Sequence, residues 1–174
     1  MSKILLIVGG PGAGKTTVSR RVAEHFELSV HHKADDIREA VVSGFPVPEY
    51  PYTEENLRQF RLARSVSTFL AGSYCDAGFD VVVDETFAGF VTDGFSELLA
   101  DERTIPVYLR PTKEALIARM RARQGPFDEL LSGIIEDLFD VISAEMPEER
   151  WNVIDNTDMS IDETVAAVLR LTSA

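Results

Sequence analysis

The stretch Gly9-Gly10-Pro11-Gly12-Ala13-Gly14-Lys15-Thr16 leaves this chain few folds to choose from. Rich in glycine, it can curl until successive backbone N–H groups point inward and form an anion nest. Its flanks narrow the choice further. Lys3-Ile4-Leu5-Leu6-Ile7-Val8 is apolar and β-branched and reads as a buried strand. From Thr16 to about Phe26, the residues Val18, Val22, Ala23 and Phe26 recur at helical spacing. Strand, glycine loop and helix together are the setting in which G-x-x-x-x-G-K-[ST] forms a phosphate-binding loop, or P-loop. The positive end of the helix faces the same point as the amides. Lys15 adds a mobile charge for the outer phosphates, and the Thr16 hydroxyl is a candidate ligand for Mg2+. Gly9, Gly10, Pro11, Gly12, Ala13, Gly14, Lys15, Thr16 and Thr17 are the candidate nucleotide-binding residues.

Beyond the loop, strand and helix patterns alternate. Leu28-Ser29-Val30-His31-His32 reads as a second strand. Its two histidines face opposite sides of the sheet and cannot easily share a metal ion. Asp35-Asp36-Ile37-Arg38 opens a short helix, with Asp35 suited to its N-terminus. Phe45-Pro46-Val47-Pro48-Glu49-Tyr50-Pro51-Tyr52 is too proline-rich for helix and forms a stiff, partly apolar loop, either a plain connection or a wall of an acceptor pocket. Thr53 begins a long helix running to about Ala77, with Thr53 and Asn56 at the spacing of an imperfect capping box. Along it, Arg58, Arg61 and Arg64 read as a solvated row paired with acids, with one of them facing the active site as the alternative. Val81-Val82-Val83 is a third, buried strand ending in Asp84-Glu85-Thr86. A helix over 91–100 leads to the strand Ile105–Leu109. Another helix begins at Pro111-Thr112 and carries Arg119, Arg121 and Arg123 near its end. Gln124-Gly125-Pro126 breaks it, and 119–127 forms a short arginine-bearing lid. A helix over 128–144, a strand over 151–154, the turn Asp155-Asn156-Thr157 and a closing amphipathic helix over 161–171 complete the chain. The alternation predicts one domain: a three-layer α/β fold with a five-stranded parallel sheet.

Composition matters chiefly through charge. The net charge is −12. Residues 1–33 hold five basic against two acidic side chains, and the remainder twelve against twenty-seven. Positive potential therefore gathers at the phosphate-binding end, while the acidic remainder would repel a polyanion, which weighs against long nucleic acid as a partner. The single Cys75 has no intrachain partner and sits among apolar neighbours, as a core thiol does. No apolar run is long enough to span a bilayer, and strand pattern starts almost at the first residue, unlike a signal peptide. These features predict a cytoplasmic protein with no membrane partner.

A P-loop implies a nucleoside triphosphate with Mg2+, and transfer of its γ-phosphate to a hydroxyl needs an orienting carboxylate and positive charge over the phosphoryl oxygens. Ligands of open parallel sheets bind at the carboxyl ends of the strands. Asp35 after strand two, Asp84 after strand three and the arginines around 119–123 are the candidates.

In these residues the chain resembles the small P-loop kinases of the nucleoside-monophosphate-kinase-like fold. It is most similar to the branch of polynucleotide 5′-hydroxyl kinases, chloramphenicol phosphotransferases and zeta-toxin-like kinases. The matching features are Gly9–Thr16, Asp35-Asp36-Ile37-Arg38, Val83-Asp84-Glu85-Thr86 and Arg119-x-x-x-Arg123. The resemblance implies Asp35 as acceptor base, with Arg38 touching the acceptor. It implies Asp84 and Thr86 in the acceptor and metal region, Arg119 and Arg123 clamping phosphates, and adenine in preference to guanine, with the turn Asp155-Asn156-Thr157 as the base-binding neighbourhood. The chain departs from that branch at Glu85, where Asn or Asp is frequent, in a lid without a zinc-binding cysteine quartet, and in Glu54 and Glu55 beside the tyrosine-rich loop. The expectation is an ATP- and Mg2+-dependent phosphotransferase acting on a small-molecule hydroxyl, of an antibiotic, nucleoside or sugar. The alternatives are a 5′-hydroxyl polynucleotide kinase and, in another class, a nucleotide-dependent binding module or regulatory NTPase with no acceptor.

Overall fold

Ile4–Val8 and Val81–Val83 are almost wholly excluded from solvent, and runs this apolar are stable only with both sheet faces covered. The computed structural model describes residues 2–46, 52–86, 94–123, 132–133, 135–136, 139 and 150–173. Its elements are β1 (Ile4–Gly9), α1 (Lys15–Ala23), β2 (Ser29–Lys33), α2 (Ala34–Glu39), α3 (Glu54–Asp76) and β3 (Asp80–Thr86), then α4 (Ser96–Ala100), β4 (Thr104–Leu109), α5 (Lys113–Arg123), β5 (Asn152–Ile154) and α6 (Ile161–Leu171). The sheet has five strands in the order β2-β3-β1-β4-β5, every pair parallel.

Helices cover the two faces separately. Leu5, Ile7, Val82 and Val107 pack with Val18 and Val22 of α1, Leu116 and Met120 of α5 and Val168 of α6. Ile4, Leu6, Val81 and Val83 pack on the other side with Ala71 and Cys75 of α3, Leu98 of α4 and Trp151. The alternation of Cβ direction along each strand separates the two cores. Register then places the site: Gly9 stands opposite Thr86 on one side and Leu109 on the other. The carboxyl ends of the three central strands thus come level where the P-loop leaves β1.

Several element boundaries differ from the sequence expectation. β3 runs through Thr86, so Asp84-Glu85-Thr86 lies in the strand rather than just after it. Of the helix expected over 91–100, residues 91–93 lie outside the described residues and the helix is described over Ser96–Ala100; Gly94, with φ +92°, stands before it. A Cβ there would sit 2.8 Å from Arg64 Cβ and 3.1 Å from the Arg61 carbonyl. Most of the expected helix over 128–144, lid residues 124–127 and loop residues 47–51 lie outside the described residues. Thr53 and Asn56 form a complete reciprocal capping box on α3. Among the described residues, no helix is long and apolar enough to cross a membrane.

Candidate functional site

The P-loop folds as its glycines allow and its neighbours require. Gly12 has φ +83°, and a Cβ on it would meet the Leu116 carbonyl of α5 at 2.8 Å. The loop is therefore pressed against α5 where only glycine fits. Lys15 and Thr16 open α1, with Thr16 exposed and Lys15 buried. Lys15 Nζ donates to the Gly10 carbonyl at 3.0 Å, a bond within the loop. Burial pushes the Lys15 ammonium below its usual value; Asp84, Asp35 and Glu85 pull it back up, and Arg123 pushes it down. Three carboxylates and Arg123 therefore lie within electrostatic range of the lysine.

Strand alternation distributes those carboxylates. Asp84 faces α1 and β2, where its Oδ2 accepts from His31 Nε2 at 2.6 Å. Glu85 faces α3, where its Oε1 lies 3.3 Å from Arg64 Nη2, with both side chains 2% exposed. Burial pushes the Glu85 carboxyl up to about 7, against the pull of Arg64. Thr86 Oγ1 donates to Asp35 Oδ2 at 3.0 Å, and Asp35 Oδ1 lies 3.3 Å from Arg38 Nη2 in the next turn of α2. The structure thus brings Asp35, Arg38, Thr86, Asp84 and Lys15 to one end of the sheet.

The two histidines of β2 part as alternation requires: His31 goes to Asp84, and His32 pairs with Ser67 on α3 at 2.9 Å. Ser67 Oγ donates to the Ala63 carbonyl, so His32 Nε2 is the donor in that pair. Burial lowers the pKa of His32. Among the described residues, no group of three or more metal-ligating side chains gathers. Mg2+ on a nucleotide needs few protein ligands, since phosphates and waters supply the rest. Thr16 beside the loop and the buried Asp84 carboxylate near Lys15 fit such an ion.

The arginines fall out differently from the sequence expectation. Arg64 is not part of a solvated row; it is buried against Glu85 and stacked near Phe60 and Phe95. A step of three residues turns about 300° around a helix, so Arg64 lies about 120° away from Arg58. Arg58 is exposed and pairs with Glu55. Arg119 Nη2 donates to the carbonyls of Asn156 (2.7 Å) and Thr157 (2.8 Å), in the turn that Asn156 ties to the P-loop. Arg123 ends α5 near Lys15.

The sequence reading names the turn of Asn156 and the strand of His31 but assigns neither residue its partner. Asn156, buried in the turn after β5, donates from Nδ2 to the Ala13 carbonyl of the P-loop at 3.0 Å. His31 holds Asp84. Period-two alternation on β2 and β3 carried the signal for His31, but the partner depends on strand order. Asn156 gave no local signal, because its partner is 143 residues away.

A parallel five-stranded sheet, covered on both faces and carrying a P-loop at the end of its central strand, is the P-loop NTPase fold in its kinase-like form. Residues 4–137 match the AAA_33 family, described as an AAA domain, and the chain belongs to that family. It is 29% identical over 170 residues to a Thermococcus onnurineus (strain NA1) protein named "Putative adenylate kinase", covering 97% of this chain and 83% of that protein. A Pyrococcus furiosus protein of the same name is 27% identical over 176 residues, with 97% and 83% covered. Among solved structures, shikimate kinase from Acinetobacter baumannii in complex with shikimate superposes with a TM-score of 0.66 at 21% identity, covering 99% of this chain and 94% of that one. A sugar kinase from Janibacter sp. HTCC2649 gives 0.70 at 19% identity, covering 99% and 95%. The tunicamycin resistance protein of Deinococcus radiodurans gives 0.68 at 13% identity, covering 99% and 96%. These structural likenesses establish the fold.

Proposed function

We propose that the protein is an ATP- and Mg2+-dependent phosphotransferase that moves the γ-phosphate to a hydroxyl of a small molecule such as a sugar, nucleoside or antibiotic. The observation that carries this reading is the placement of Asp35. Its carboxylate is held by Thr86 and Arg38 at the carboxyl end of β2 and acts electrostatically on Lys15. A carboxylate fixed there suits an alcohol as acceptor: it accepts the hydroxyl hydrogen bond, aims the oxygen at the phosphorus and takes the proton as the P–O bond forms.

In this reading the amides of residues 9–17 and Lys15 hold the triphosphate, and Arg123 faces the phosphoryl group beside Lys15. Thr16 and Asp84 would hold Mg2+, which neutralises charge on the bridging phosphate oxygens. Arg119 serves the turn after β5. Arg38 and Thr86 hold Asp35 from either side, and His31 fixes the direction of Asp84. Shikimate kinase and the sugar kinase, both likened in fold, take hydroxyl acceptors by their names. The curated relatives' name supports a second reading, transfer to the phosphate of AMP.

ATP consumption by the purified protein with Mg2+ separates these readings. The panel comprises neutral sugars, nucleosides, hydroxylated antibiotics, a 5′-hydroxyl oligonucleotide and AMP. A hydroxyl compound is expected to stimulate turnover. Asp35→Asn is expected to keep ATP affinity and lose transfer by a factor of ~10²–10⁴. Turnover of Asp35→Asn at the wild-type rate removes Asp35 from the mechanism. ADP formation from AMP favours the second reading. Slow hydrolysis that no acceptor stimulates favours a regulatory NTPase.

A further inference from the structure

Two guanidinium groups converge on one aromatic ring beside Asp35. The Arg38 guanidinium carbon is 4.2 Å from the Phe60 centroid, and that of Arg64 is 5.6 Å from the same centroid. Two arginines so placed ordinarily form a clamp for a phosphate or carboxylate, since each offers a planar fork of donors. Here each is answered by a carboxylate of the chain itself: Asp35 at 3.3 Å from Arg38 and Glu85 at 3.3 Å from Arg64. The second pair is the buried one. Glu85 is aimed at α3 by strand alternation, and Phe95, fully buried, lies over the Arg64 guanidinium at 5.9 Å. An unanswered guanidinium at that depth would be strongly destabilising and would attract an anion.

We propose that Glu85 is the specificity-determining residue of the acceptor site: in its ionised form it neutralises Arg64, selects hydroxyl compounds with no anionic group near the reacting oxygen and turns away phosphate monoesters such as AMP. The inference rests on the acceptor position set by Asp35 in the proposed function. It adds the charge class of the acceptor.

The test is isothermal titration calorimetry on the full chain at about pH 8, with the nucleotide site saturated by a non-hydrolysable ATP analogue and Mg2+. The probes are AMP and inorganic phosphate. Wild-type protein is expected to bind both weakly. Glu85→Gln keeps the shape and a hydrogen-bonding group at Arg64 but removes the charge, and is expected to bind both about tenfold more tightly or better. The double variant R64Q/E85Q removes both charges and is expected to return to wild-type affinity. Unchanged anion affinity in Glu85→Gln overturns the proposal, whether or not an acceptor has been found. If Glu85→Gln does not fold, wild type alone decides: AMP-dependent ADP formation, or AMP bound more tightly than adenosine, overturns it, and the reverse order of affinity supports it. Failure of every hydroxyl compound to be phosphorylated would instead strike the proposed function, because the binding comparison needs no transfer.

Discussion

Three consecutive residues at the end of β3 have three separate surroundings. Asp84 is held by His31, Glu85 is buried with Arg64, and Thr86 donates to Asp35. Each depends on its partner's position, and Arg64, the partner of Glu85, is packed closely against Gly94. Its φ of +92° and the 2.8 Å approach of a would-be Cβ to Arg64 Cβ exclude any larger residue without rearrangement. Gly94→Ala is expected to destabilise the protein by about 2–4 kcal/mol, from the left-handed backbone and the overpacking together. Urea denaturation measures it, and a loss below about 0.5 kcal/mol, within the range of ordinary surface substitutions, would show that the segment relaxes freely. At this scale the sequence was most legible where the chemistry is local. The P-loop octapeptide needs only its own glycines and flanks. Glu85 was opaque because its partner lies on α3, and a side chain's partner across a sheet is a matter of packing rather than of neighbouring letters.

Among elements, the turn 155–157 works as a joint. It reaches the P-loop through Asn156, α5 through the carbonyls that Arg119 binds, and the start of α5 through Thr157 Oγ1, which accepts from the Thr112 amide. The loop that receives phosphates is thereby tied to the two elements that follow β4 and β5. Asn156→Ala removes the bond to the Ala13 carbonyl and leaves a buried acceptor without its donor, which costs about 1–3 kcal/mol. The expected outcome is a raised KM for ATP with a smaller change in kcat. A fall in kcat alone would place Asn156 in the chemistry instead. The order of strands and helices was readable from periodicity, because buried parallel strands and amphipathic helices have different periods. Which arginine of α3 turns inward was not readable: a three-residue repeat looks like a row in print and winds around the helix in space.

For the whole molecule, acidity is the main lever. Burial holds the Glu85 carboxyl at about 7, above its usual 4.5, so the folded chain retains a proton that the unfolded chain has released. The linked stabilisation is whole below about pH 4.5 and is lost as pH rises through about 7. Between about pH 5 and about pH 8, the wild type is expected to lose on the order of 1–3 kcal/mol of stability relative to Glu85→Gln, which does not titrate there. Parallel pH dependence of the two proteins in urea denaturation would contradict the assignment.

The sheet order also sets when the chain can fold. β1 precedes the other four strands of the sheet and occupies the centre, yet Ile4 pairs with Val81 on one side and Thr104 on the other. On the ribosome, an apolar strand that already carries its P-loop must wait unpaired until β3 has emerged, Val81 lying 77 residues beyond Ile4. Contacts of such sequence separation make folding slow and leave the waiting strand open to aggregation. The position that gives the phosphate loop its rigid seat in the finished protein is the one most exposed during its synthesis.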